Sequence, residues 1–132
     1  MAKAMIIVDT CIWVPFFNRP QSVAKQYVDQ LIDDDAVVML GPILAEILQG
    51  FKREQQADWV ASELRHLQFV NVEWDDWKQA AALGRKLVEQ GHRLPLSDLI
   101  IGTIALRHQF KICTTDPHFQ LIQGISVFAP GN

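Results

Sequence analysis

The sequence predicts an α/β fold, a three-layer α/β/α sandwich around a central, mainly parallel sheet. Short apolar runs rich in β-branched residues, such as Met5-Ile6-Ile7-Val8 and Val37-Val38-Met39-Leu40, read as strands covered on both faces, as parallel strands are. Segments with helical apolar spacing lie between those runs, and strands alternating with helices favour parallel pairing over hairpins. In an open sheet of this kind, ligands bind beyond the carboxyl ends of the strands.

The elements follow in order. Met5 to Val8 is the first strand and stops at Asp9. Gln21 to Asp33 places Ala24, Tyr27, Val28, Leu31 and Ile32 at helical spacing, and Asp33-Asp34-Asp35 breaks the pattern before the strand at Val37–Leu40. Gly41-Pro42 ends that strand and opens a helix, because proline suits the first turn; Ile43, Leu44, Ile47, Leu48 and Phe51 form its stripe, with Gly50 near its end. A helix over Gln56 to Leu67, a short strand over Phe69 to Val72, and a helix from Trp74 to Gln90 stopped by Gly91 come next. Ser97 is the expected N-cap of a strongly apolar helix from Asp98 to His108. Lys111-Ile112-Cys113 is a fourth strand, Thr114 to Phe119 a polar loop, and Ile125 to Phe128 a last strand.

Residues 1–132 are the length of one domain, enough to bury about two-thirds of the unfolded surface. With 49% apolar and 20% charged residues the composition is globular, which excludes a disordered or low-complexity chain. A net charge of −3 gives no bulk argument for nucleic-acid binding, so any phosphate contacts must be local. Cys11 and Cys113 match neither a disulfide framework nor a zinc cluster and read as buried small apolar residues. The first apolar run is too short for a signal peptide or a membrane span, so a cytoplasmic location without membrane contact is expected.

Four carboxylates carry the functional expectation. Asp9 stands at the end of the first strand, where the crevice should open, or it caps the next segment. Asp116 takes the same place after the fourth strand, or forms an Asp-Pro turn closed by a threonine hydroxyl. Asp98 begins a helix that is apolar nearly all round and therefore buried, where the helix N-terminus also favours an anion. Glu46 lies on the flank of its helical stripe, a solvated position unless that flank faces the strand ends. Four carboxylates in one crevice repel one another, and a divalent cation relieves the conflict. An all-oxygen site suits Mg2+ or Mn2+; zinc calls for histidine or cysteine at ligand spacing, and the sequence shows no such spacing. Such ions activate water and stabilise charge on phosphate esters, so phosphodiester hydrolysis is the expected reaction class.

With these positions in place the chain closely resembles the PIN-domain ribonucleases, and among them the VapC-type toxins of toxin–antitoxin pairs. The resemblance spans nearly the whole chain. It rests on Ile7-Val8-Asp9-Thr10 followed by Ile12-Trp13, on Ala45-Glu46-Ile47 with Gly50, on the run Leu96-Ser97-Asp98 to Ala105, and on Thr114-Thr115-Asp116-Pro117-His118-Phe119. It implies a PIN fold, the four acids as a magnesium site with manganese as substitute, and endonucleolytic cleavage of structured RNA such as transfer or ribosomal RNA. Thr114 or Thr115 would assist through a hydroxyl. A homodimer is implied, as is a cognate VapB-like antitoxin that forms a hetero-oligomer with the toxin and blocks the pocket. The chain departs from the pattern at Cys11, where serine is frequent, and at Pro15.

Other residues take blander readings. His118, beside a phenylalanine in a turn, reads as structural and is left out of the site. Asp33-Asp34-Asp35 lacks the glycine and distal glutamate of a calcium loop and reads as a solvated helix end. Lys52-Arg53, Arg85-Lys86 and Arg93 are candidate phosphate contacts. Most of Trp13, Phe16, Phe17, Trp59, Trp74 and Trp77 should be core, with an exposed subset open to an antitoxin or dimer partner. Two competing functions remain: a non-catalytic PIN scaffold, and a haloacid-dehalogenase-like phosphatase, which needs an aspartate where Cys11 stands.

Overall fold

A computed structural model describes residues 4–131 of the chain. Five strands, β1 (Ile6–Val8), β2 (Val37–Leu40), β3 (Gln68–Val70), β4 (Lys111–Cys113) and β5 (Val127–Phe128), pair in parallel in the order β3-β2-β1-β4-β5. Every residue of β1 and β2 is buried, so both sheet faces are covered, as their unbroken apolar runs require. Six helices do the covering: α1 (Thr10–Asn18), α2 (Val23–Asp33), α3 (Gly41–Gln49), α4 (Glu54–Leu64), α5 (Trp74–Glu89) and α6 (Leu96–His108). α1 packs on α2 and α3, and α3 on α4, while α5 packs on α6. The chain steps outward from β1 to β2 to β3 and then returns to the other side of β1. The two helix groups meet where α3 also contacts α6.

The reversal leaves β1 and β4 as neighbours whose connections leave in opposite directions, the place where an open sheet opens a crevice. Their register pairs Val8 with Cys113, and the Asp9 N–H donates to the Cys113 carbonyl at 3.0 Å. The residues that follow the two strands therefore emerge side by side.

Several elements differ from the sequence expectation. Helix α1 has no counterpart among the elements expected from the sequence; Ile12, Trp13, Phe16 and Phe17 recur at helical spacing around Pro15, and Asp9 caps the helix by accepting the Thr10 N–H. Trp13, 1% exposed, stacks with Phe17 and meets Phe16 edge-on, and this burial outweighs the backbone bond that proline removes. Ser97 is not the cap of α6. The helix begins at Leu96 with Pro95 as N-cap, whose extended backbone suits that role, and Ser97 makes no capping bond. α4 starts and ends earlier than its apolar pattern suggested, β5 is two residues shorter at its start, and the expected loop after β4 contains a 3₁₀ turn over Pro117–Leu121. Cys11 is exposed, contrary to expectation, whereas Cys113 is buried. Trp59, Trp74 and Trp77 are surface residues too.

Two glycines answer to geometry. Gly91 ends α5 with φ +90°, a conformation that L side chains rarely adopt. Gly102, inside α6, lets Ile122 lie against the helix backbone: a Cβ there would come within 2.6 Å of its Cδ1. Ion pairing adds to this packing. Arg107 grips the buried Asp76 with two bonds of 2.6 and 2.7 Å, tying the C-terminal end of α6 to the first turn of α5. Burial pushes the Asp76 carboxyl up, yet the Arg107 guanidinium and the Glu73 backbone N–H together hold it below its ordinary value.

Candidate active site

Asp9 leaves β1 at its carboxyl end and is 6% exposed. One oxygen accepts the Thr10 N–H at 2.8 Å, and the other accepts the Thr114 hydroxyl at 2.8 Å. Asp9 is thus a helix cap and a crevice carboxylate at once. Thr114, the first residue after β4 and 3% exposed, also accepts the Asp116 N–H at 2.9 Å. A single buried hydroxyl therefore joins the aspartates that follow two neighbouring strands. The threonine-closed turn at Asp116 does exist, and it serves to aim that carboxylate.

Asp98 sits in the first turn of α6, 8% exposed. Burial, reinforced by the charges of Asp116 and Asp9, raises its pKa above the ordinary carboxyl value even though the hydrogen bond to His118 works the other way. The aspartates at the two strand ends are thus close enough to Asp98 to be felt there, and in metal-free protein His118 opposes their repulsion. Glu46 enters from α3: its Oε1 accepts the Thr10 hydroxyl at 2.9 Å, so the flank of that helix does face the strand ends. Thr10 links it to Asp9 through one residue. Thr115 meets no carboxylate directly among the described residues. It is exposed and its hydroxyl reaches only the Cys11 sulfur, at 3.5 Å.

Two residues that sequence reasoning left aside belong here. His118 Nδ1 lies 2.9 Å from Asp98 Oδ2 and 3.3 Å from Asp116 Oδ1, so the structural reading of this histidine gives way to a place inside the acidic cluster. Its bond to Asp98 and the nearby negative charges raise its pKa, against partial desolvation. The signal was present as Asp-Pro-His in a turn, but an i, i+2 spacing converges only when the turn geometry is known. Cys11, on the first turn of α1, lies with its sulfur 3.6 Å from Asp9 Oδ2 and 3.3 Å from the Thr114 hydroxyl, so the thiol occupies the place in doubt from the sequence.

The donor chemistry suits a divalent cation. Carboxylate oxygens of Asp98 and Asp116 and His118 Nδ1 all lie within 4.8 Å of one another, and Asp9 stands behind them through Thr114. The expectation that no histidine stands at ligand distance is therefore corrected. Of the expected basic contacts, Lys52, Arg53, Arg85, Lys86 and Arg93 are all exposed; Arg85 and Arg93 line one cavity of about 470 Å³ whose wall includes Leu99, the residue after Asp98.

The family model for the PIN domain matches residues 6–125, which takes in every residue of this cluster. The chain belongs to the PIN-domain family. This PIN domain is 29% identical over 126 residues to the VapC ribonuclease Mb1587 of Mycobacterium bovis and equally to ribonuclease VapC11 of Mycobacterium tuberculosis, covering 92% of the chain and 94% of the relative in each case. Among solved structures, it shares its fold with a chain of VapBC2 from Rickettsia felis bound to promoter DNA, at TM-score 0.80 and 18% identity over 95% of this chain and 98% of that one. A chain of VapBC-1 from nontypeable Haemophilus influenzae gives 0.79 and 19%, over 97% and 99%. VapC20 of Mycobacterium tuberculosis, described as a toxin cleaving the sarcin-ricin loop, gives 0.64 and 15%, over 87% and 92%.

Proposed function

We propose that residues 1–132 form one PIN domain that acts as a metal-dependent endoribonuclease, the toxin of a VapBC-type pair, cutting structured RNA of the transfer or ribosomal kind. The observation that carries this reading is the Thr114 hydroxyl, which couples Asp9 to the turn bearing Asp116 while Asp98 faces the same space. Buried carboxylates held in mutual repulsion are costly to a fold that gains nothing from them. Relatives of nearly equal length named as VapC ribonucleases support the choice of RNA.

In this reading Asp98 and Asp116, with Asp9 behind them, hold Mg2+ or Mn2+. When bound, the cation lowers the pKa of a coordinated water and neutralises charge developing on the phosphodiester. Thr114 fixes Asp9 and aims Asp116; Glu46, steadied by Thr10, offers a further acceptor at the rim, where it can orient a water. Thr115 donates to the Cys11 sulfur and touches no carboxylate, so Thr114 is the threonine given the positioning role. Arg85 and Arg93, beside the first turn of α6, suit the phosphates flanking the cleaved bond.

A VapB-like antitoxin fits the rim on the α1–α3 side. A cavity of about 160 Å³ there is lined by Trp13, Phe17, Ile47 and Phe51 and bounded by Glu46. The Trp13 indole N–H is buried without a partner among the described residues. An extended partner segment would lay apolar side chains into that cavity and offer a cation to Glu46, closing the site. The solved VapBC assemblies that share the fold support such a partner. No helix among the described residues is long and apolar enough to cross a membrane; in the proposed reading the chain acts on cytoplasmic RNA, as a homodimer or in complex with antitoxin.

The test uses purified chain and labelled transfer RNA, ribosomal RNA and a sarcin-ricin hairpin, with Mg2+ or Mn2+ and then with EDTA. Internal cuts that need the cation and disappear on adding antitoxin are expected. Cleavage that persists in EDTA, or none on any of these RNAs by a folded sample, overturns the proposal and leaves the scaffold reading.

A further inference from the structure

We infer that His118 is a nitrogen ligand of the cation held by Asp98 and Asp116, making this a mixed nitrogen–oxygen site that prefers Mn2+ to Mg2+. The inference rests on the reading of Asp98 and Asp116 as cation ligands and adds to it both a ligand and a metal preference. Its basis is the convergence of three side chains. His118 Nδ1 is 2.9 Å from Asp98 Oδ2 and 3.3 Å from Asp116 Oδ1. In the metal-free protein the shorter separation is a hydrogen bond. Octahedral ligand atoms ~2.1 Å from one ion lie about 3 Å apart, so an ion can take the place of the bridging proton without moving the side chains far.

The chain also holds the imidazole in place by its own geometry. Pro117 fixes the backbone between the two donors, and the Asp116 carboxylate accepts the His118 N–H at 2.9 Å, which sets the turn. Phe119, with 0% exposure, anchors the next residue in the core. The His118 ring is part-exposed, which leaves room for the remaining ligands of an ion to be waters. Imidazole suits borderline transition metals, whereas Mg2+ favours oxygen throughout. Replacing one oxygen by this nitrogen therefore shifts the balance toward Mn2+.

The test is spectroscopic and needs no RNA. Mn2+ is added to purified metal-free chain; pulsed EPR reads any 14N coupling, and calorimetry gives the Mn2+ and Mg2+ affinities of wild type, His118→Ala, His118→Asp and Asp98→Asn. Wild type should show imidazole nitrogen coupling. His118→Ala should lose it along with roughly ten- to a hundredfold of Mn2+ affinity, the range seen when groups around a metal are removed. His118→Asp should bind both ions without coupling and with a smaller Mn2+ preference. Mn2+ bound to wild type without nitrogen coupling overturns the inference, and this needs no variant to fold. So does a His118→Ala protein whose affinities match wild type; in both cases Asp98→Asn losing the ion would leave the nuclease reading standing. If Asp98→Asn binds Mn2+ as wild type does, the ion lies elsewhere and both readings fall.

Discussion

Replacing Thr114 by valine keeps the shape of a buried side chain and deletes the hydroxyl that joins Asp9 to the Asp116 turn. Two bonds are lost. The one to the Asp9 carboxylate is charge-assisted and contributes roughly 1.5–3 kcal/mol. The Asp116 N–H loses its acceptor, but Asp116 is only half-buried, so water recovers part of that loss. A total near 2–4 kcal/mol follows, and at this chain length about 4 °C of melting temperature goes with each kcal/mol, giving a fall of roughly 8–16 °C. Serine is the control. It keeps the hydroxyl and removes one buried methyl, costing about 1 kcal/mol. Thermal unfolding of metal-free protein and RNA cleavage at saturating cation should both rank wild type, then Thr114→Ser, then Thr114→Val, the last about ten- to a hundredfold down in rate because two carboxylates have lost their aim. A valine variant melting within 4 °C of wild type, or a serine variant as damaged as valine, would refute the coupling role.

Asp98→Asn should abolish cleavage and leave the metal-free protein at least as stable as wild type, since burial and two neighbouring carboxylates already disfavour the charge; a large fall in its melting temperature would make Asp98 a structural acid instead. Saturating Mn2+ should stabilise wild type by about 2.7 kcal/mol at a hundredfold excess over Kd, and the asparagine variant by much less, which differential scanning calorimetry reads directly. Arg107→Met should destabilise the fold by roughly 2–4 kcal/mol by stranding the buried Asp76, with the exposed side of the arginine lowering the figure below that of a fully buried pair. Because the Asp76 pKa is depressed in the folded state, the pair stabilises above the ordinary carboxyl value of 3.8 and its contribution is lost as pH falls through the lower folded value; acid titration of stability should show this limb in wild type and a shallower one in the variant. A thiol-directed reagent should label Cys11 alone in folded protein, since Cys113 is buried and pushed up to about 12, and the label should stop cleavage; mass spectrometry showing equal modification of both would contradict the packing.

Much of the architecture was legible because local chemistry repeats. The runs Ile6–Val8 and Val37–Leu40 could be little else than doubly covered strands, and Gly91 stops its helix for a reason of backbone geometry alone. Helix α1 was not legible around Pro15, because what sustains it is aromatic packing of Trp13, Phe16 and Phe17, which outweighs one lost backbone bond. Ser97 misled, since Pro95 was already placed to begin the turn.

The sequence by itself determined that carboxylates would stand at strand ends and at the start of an apolar helix, because each position follows from the element beside it. Only the tertiary structure decided which of them share a space. Strand order makes β1 and β4 neighbours, and the 3₁₀ turn swings His118 back onto Asp98, twenty residues away in the chain. Distances of that kind depend on topology and packing, which are collective properties of the folded chain and have no period or motif in the residues themselves.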